Sequence, residues 1–195
     1  MIIRKQFKFE GSHIVRDCST KLCQRNSHGH SYLVEIFFTS KGIDNGGMVM
    51  DFGLMKSTIK EFIESFDHAH TLWSKESEEF KKFYYDHFER VIELPCSPSA
   101  EMYSLMFFYV IDLIVKNTQF RNGEKEVELR SVRVHETTTG YAESFREDLQ
   151  YWKWRLDDIK ISDGIVVDWK EPKMWHYLQI GHKFINLDVD LRYQD

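Results

Sequence analysis

The chain has 195 residues, 42% hydrophobic and 29% charged, enough for one globular domain with its own core and room for an appendage. Its formal charge of -5 gives no electrostatic reason to expect nucleic acid or an anionic membrane as partner. No apolar run approaches the roughly 18 residues that span a bilayer, and the start, Met1 to Phe7, reads as a strand and not as a signal peptide. Three cysteines, Cys18, Cys23 and Cys96, lack CxxC spacing, which argues against a disulfide framework and fits a reducing cytoplasm.

Residues 2–10 and 30–39 are expected to be strands. In the second, Tyr32, Val34, Ile36 and Phe38 share one face. A polar loop over 16–27 lies between them. Gly42 and Asn45-Gly46-Gly47 predict a turn into a short strand at 48–51. From Phe52 the period changes: Phe52, Met55, Ile59, Phe62, Ile63 and Phe66 form a helical apolar stripe. Residues 74–90 predict a second, more exposed helix. Ser97-Pro98-Ser99 predicts a capped start, with Pro98 at or near the first turn, for a buried helix over 102–115. Residues 127–136 read as a strand whose parity switches around Ser131, the sign of a bulge, and 141–145 as a last strand. The order strand, strand, three helices, strand, strand implies an α+β fold dominated by antiparallel pairing. Residues 1–146 are taken as the domain and 147–195 as a C-terminal extension. Trp152, Trp154, Trp169 and Trp175 of the extension are expected to pack on the domain or on a neighbouring subunit, because exposed they would leave a large apolar patch.

The sharpest local feature is Ser27-His28-Gly29-His30-Ser31-Tyr32. Strand residues two apart project from one face, so both imidazoles can converge on one ion, and Gly29 permits close backbone approach. Three neutral imidazoles and an open position describe a catalytic zinc site. His13 is the third candidate, because Phe7, Phe9 and Gly11 lead to it in alternating register. Cys23 precedes His28 by five residues, and a thiol beside a dication ionises readily enough to act as base or nucleophile; Cys18 competes on proximity. Asp67-His68 offers a carboxylate that sets the tautomer of a proton-transfer histidine, with His70 as a near neighbour. Glu136 falls on the parity of Val132 and Val134, where a carboxylate needs donors such as the N–H pair of an amidine-like ligand.

Together these segments resemble the 6-pyruvoyl-tetrahydropterin synthase / 6-carboxy-5,6,7,8-tetrahydropterin synthase family. The resemblance runs through FKFEGSH (7–13), CQRNSHGHSY (23–32), GMVMDFGLMK (47–56), DH (67–68), SPSAE (97–101) and VRVHET (132–137). It implies a T-fold, an antiparallel sheet with helices on one face, assembled into a homo-oligomeric barrel (a trimer or dimer of trimers) with the active site between subunits. It also implies zinc on His13, His28 and His30, proton transfer by Cys23, Asp67 and His68, and pterin binding by Glu136 and Ser99. The implied substrate is 7,8-dihydroneopterin triphosphate. The implied product is 6-carboxytetrahydropterin for queuosine-type biosynthesis, with the pyruvoyl-forming reaction as the alternative. A non-catalytic T-fold module that binds a pterin or a partner is the reading from another class. The absence of HExxH argues against a generic zinc hydrolase. Four residues separate Cys23 from His28, one more than is typical of the carboxy-forming enzymes, and residues 147–195 lie beyond the usual end of the family.

Overall fold

The structure, a computed structural model, describes residues 1–185. Alternating apolar residues drive β1 (Ile2–His13) and β2 (His28–Thr39) into one antiparallel pair, from Ile2 opposite Thr39 to His13 opposite His28. Both strands run further toward the histidines than expected. α1 (Lys21–Arg25) lies in their connection. α2 (Gly53–Lys56), α3 (Thr58–Glu64), β3 (Ala69–Trp73), α4 (Glu78–His87), β4 (Val91–Leu94) and α5 (Ala100–Lys116) follow. Then come β5 (Thr118–Gln119), β6 (Glu128–His135) and β7 (Tyr141–Phe145). Beyond two 3-10 turns, the extension contributes β8 (Lys160–Ile161), α6 (Asp163–Val166), α7 (Met174–Gln179) and β9 (Phe184–Ile185).

Seven strands form one sheet in the order β7-β6-β2-β1-β3-β4-β8. The first four are antiparallel, as expected. β3 and β4 then join in parallel, and β8 pairs antiparallel with β4. β3 and β4 escaped the sequence reading because four or five residues buried on both faces display no period of two. The bulge is present: Phe37 faces Ser131 while Phe38 faces Leu129, which leaves Arg130 as the extra residue.

Two expected elements differ. Residues 48–51 form no strand, because the Asp44 side chain accepts from the N–H groups of Gly46 (2.9 Å) and Met48 (2.8 Å) and closes a turn there. The stripe from Phe52 is broken at Ser57 into α2 and α3, and Phe52 itself is left exposed, while Met55, Ile59, Phe62, Ile63 and Phe66 are buried. Ser99 caps α5 by accepting from Met102 N (3.3 Å), so Pro98 lies just before the cap and not in the first turn.

The core lies between the sheet and α5. Phe9, Tyr32, Val34, Ile36, Val132 and Val134 meet Tyr103, Phe107, Phe108 and Ile111 there. The extension joins the same core: Trp152 and Trp169 are buried, Trp154 and Trp175 are packed against it, and Trp175 stacks on Phe62 at 5.7 Å. The four tryptophans thus pack on the domain of their own chain. Residues 186–195 of the expected extension lie outside the described residues.

Candidate metal centre and active site

The core-facing row of β1 ends at His13, and the same row of β2 begins at His28 and His30. Antiparallel pairing sets His13 opposite His28 and Gly11 opposite His30, so the three imidazoles meet at one end of the core. Ring centroids are 4.6 Å apart for His13 and His28, 5.2 Å for His13 and His30, and 5.1 Å for His28 and His30. One ring nitrogen from each lies within 4.8 Å of the others. A Cβ on Gly29 would lie 3.0 Å from the Gly11 carbonyl oxygen, tighter than ordinary contact, so the residue between His28 and His30 has to be small.

The remaining ring atoms are arranged as metal ligands require. His13 Nδ1 donates to the Pro98 carbonyl (2.6 Å) and His28 Nδ1 to the Asn26 carbonyl (3.0 Å), which makes each Nε2 the nitrogen that carries the lone pair; at His13 the Tyr32 hydroxyl lies 3.4 Å from it. His30 Nε2 is buried with no hydrogen-bond partner, a costly state for a polar atom unless something binds it. Burial pushes His13 down to about 4, with His28 and His30 adding to the effect and the bond to Pro98 opposing it. Burial also lowers His30, against the pull of Glu136. Neutral imidazoles are the form that binds a cation, and the donor set fits a metal ion.

Glu136, just past β6, places Oε1 3.6 Å from His13 Nε2 and 3.7 Å from His30 Nε2. The Tyr32 hydroxyl lies 3.3 Å from His13 Nδ1, and burial raises both Tyr32 and Tyr103, so both remain neutral phenols.

The second group sits where α3 gives way to β3. Asp67 Oδ2 is 2.9 Å from His68 Nδ1, and Asp67 Oδ1 accepts from Glu10 N at 2.7 Å. His68 has a left-handed backbone (φ 55°), and its N–H donates to the Glu10 carbonyl (2.7 Å), so β1 holds the pair twice. A cavity of about 780 Å³ is lined by His30 and His68 together, with Ser12, His70, Tyr84 and Arg90. His70 is a different kind of residue from His68. It is buried, hydrogen-bonded through Nδ1 to the Ser12 hydroxyl (2.7 Å), stacked on Tyr84 at 4.1 Å, and lowered to about 4 by burial and then by His13.

The profile of the family described as 6-pyruvoyl tetrahydropterin synthase matches residues 2–147. The chain belongs to this family. A 6-carboxy-5,6,7,8-tetrahydropterin synthase of Helicobacter pylori strain J99 is 44% identical over 190 residues, covering 95% of this chain and 92% of the relative. The same-named protein of strain 26695 is 43% identical over the same share. Among solved structures, the protein WS1659 of Wolinella succinogenes superposes with a TM-score of 0.58 at 19% identity, over 75% of this chain and 98% of that one. The 6-pyruvoyl tetrahydropterin synthase of Caenorhabditis elegans gives 0.51 at 18%, over 74% and 94%. The pterin synthase T-fold is thus the fold of this chain. The Helicobacter alignments run past residue 147 into the extension, where the family profile stops.

In this family member the other expected site residues are dispersed. Cys23 is half-buried in α1, with its carbonyl accepting from Val15 N (3.1 Å). It belongs neither to the three-histidine group nor to the lining of the cavity at His68. Cys18 and Ser99 line a separate cavity of about 510 Å³ with Trp73 and Trp154. The sequence reading missed the Pro98 carbonyl, Tyr32 and Tyr103 as neighbours of His13. Tyr32 continues the His28, His30 alternation and was legible as such. The other two come from a distant segment and carried no local signal.

Proposed function

We propose that this chain is a zinc-dependent lyase converting 7,8-dihydroneopterin triphosphate to 6-carboxy-5,6,7,8-tetrahydropterin, with release of acetaldehyde and triphosphate. One observation carries the reading. Three imidazoles converge beside a carboxylate–imidazole pair, in a chain 44% identical over nearly its whole length to a synthase of that name. His13, His28 and His30 would hold the metal, and an all-imidazole set with an open position suits zinc. Zinc, when bound, supplies a Lewis acid for the negative charge that develops on substrate oxygen.

The chain's own residues do the rest. Asp67 accepts from His68 Nδ1, which leaves His68 Nε2 as the atom that takes or gives a proton on the cavity side. Cys23 is the second proton-transfer group of this scheme, with Cys18 as its competitor. Glu136 accepts the N–H pair of the pterin ring beside the histidines, and Ser99 borders the ring. The active assembly is a homo-oligomer, a trimer or dimer of trimers, working in the cytoplasm on a small anionic pterin, with no nucleic acid or membrane partner. The outer edge of β7, unpaired among the described residues, and the exposure of His68 both favour a neighbouring copy at the site. Among the described residues no helix is long and apolar enough to cross a membrane.

Incubation of the zinc-loaded protein with 7,8-dihydroneopterin triphosphate, followed by mass analysis of the pterin and an acetaldehyde assay, tests the reading. Equimolar acetaldehyde and 6-carboxytetrahydropterin are expected. A pyruvoyl product without acetaldehyde moves the chain to the other branch, and no turnover refutes both. Cys23→Ala should abolish turnover and Cys18→Ala should not; the reverse result makes Cys18 the thiol.

A further inference from the structure

The segment beyond residue 147 lies outside the family profile, yet it docks behind the turn that carries Asp67 and His68. That turn is the C-terminal end of α3, where helix carbonyls lack intrahelical donors and attract cations. Arg90 meets this need from the position just before β4. Its Nε donates to the Asp67 carbonyl (2.8 Å), and its Nη2 to the carbonyls of Glu64 (3.1 Å) and Ser65 (3.3 Å). The remaining arm of Arg90, Nη1, is held by Asp168 of the extension at 2.7 Å.

The next residue makes a second link. Trp169, 5% exposed, donates from Nε1 to the Ser65 hydroxyl at 2.9 Å, and that hydroxyl donates to the Glu61 carbonyl at 2.9 Å. The extension is itself fastened to the same region. Ser162 exchanges hydrogen bonds with Glu89 and Val91, and β8 pairs with β4. Asp67 and His68 are therefore gripped from one side by the Glu10 backbone and from the other by the extension.

We infer that the C-terminal extension is a positioning element of the active site: Asp168 acting through Arg90, and Trp169 acting through Ser65, hold the turn over 65–68 so that Asp67 stays aligned on His68. The inference rests on the proposed role of that pair in proton transfer. Asp168, Trp169, Arg90 and Ser65 are positioning residues, since each reaches the pair only through the turn. The turn needs such holding because His68 adopts a left-handed backbone that a residue with a side chain rarely takes unless its surroundings impose it.

The test uses the full-length, zinc-loaded protein with Trp169→Phe, which keeps an aromatic side chain, though a smaller one, and removes the donor, Asp168→Asn, and Ser65→Ala. Each should lower kcat about tenfold with KM and zinc content unchanged, because small misplacement of a catalytic group costs rate before binding. Trp169→Phe combined with Ser65→Ala should be no worse than either alone, since both break one link. The His68 imidazole resonance, assigned by its loss in His68→Asn, should shift in Trp169→Phe. A lowered melting temperature with kcat and the His68 resonance unmoved would overturn the inference and leave the extension a purely structural brace. If the wild type itself shows no turnover, the proposed function fails, and the His68 resonance still decides the positioning role by shifting or staying.

Discussion

Replacing Asp67 by Asn isolates the proposed proton-transfer pair from the fold. The substituted side chain keeps Oδ1, which accepts from Glu10 N at 2.7 Å, so the link between the turn and β1 survives. At the other oxygen an NH2 group now stands 2.9 Å from His68 Nδ1, and two donors cannot face one another. The imidazole must then carry its proton on Nε2, the atom that the proposed role needs as a base. General acid–base catalysis contributes about 10²–10⁴-fold. His68 is 76% exposed in the single chain, so water can partly restore its orientation, and the loss should fall at the lower end. We expect kcat per bound zinc to drop about 100-fold, or ~2.7 kcal/mol in the barrier, with KM and melting temperature little changed. Initial-rate measurement of pterin product, with zinc content determined in parallel, checks this. Turnover of Asp67→Asn within about threefold of the wild type would refute the role of the carboxylate.

Further outcomes follow from other parts of the molecule. His30→Ala should abolish stoichiometric zinc binding measured by mass spectrometry of the native protein. Zinc at about 100 times its Kd should add ~2.7 kcal/mol to wild-type stability and nothing to the variant. Glu35 is buried on the opposite face of the sheet, where Arg4, Gln6, Arg133 and His135 converge on it. Burial pushes its carboxyl up, but the hydrogen bonds from His135 and Gln6 and the charges of Arg133 and Arg4 outweigh that and hold it below the ordinary carboxylate range. A lowered folded-state pKa contributes stability that is full above the unfolded value, about 4.3, and is lost as pH falls through the folded one. Glu35→Gln should therefore cost about 2 kcal/mol at pH 7, and denaturant titrations should show the gap to wild type closing as pH falls below the ordinary carboxylate range. Gly164→Ala would put a Cβ 2.5 Å from the Glu89 carbonyl oxygen. It should destabilise the docked extension by about 1–3 kcal/mol, visible as faster limited proteolysis beyond residue 147.

What the sequence determined alone is what short-range periodicity encodes. Alternation in Phe7, Phe9, Gly11, His13 and in His28, His30, Tyr32, Val34 assigns each side chain to a face. Once those strands pair, the three imidazoles have nowhere to go but together. Asp67 and His68 are neighbours in the chain, so their hydrogen bond was legible for the same reason, and so was a capped helix start within Ser97-Pro98-Ser99, though the structure moves Pro98 out of the first turn by making Ser99 the cap. Tertiary structure decided everything that depends on which distant surface comes to rest where. β3 and β4 are too short to announce themselves and exist because neighbours pair with them. The Pro98 carbonyl reaches His13 across 85 positions only because α5 packs on that end of the sheet. The bond from Trp169 to Ser65 spans 104 positions, and the bond from Arg90 to Asp168 spans 78. A residue type states what it can donate or bury, and a local period states which way it points. The partner is chosen by the stacking of layers, which no short window of sequence contains.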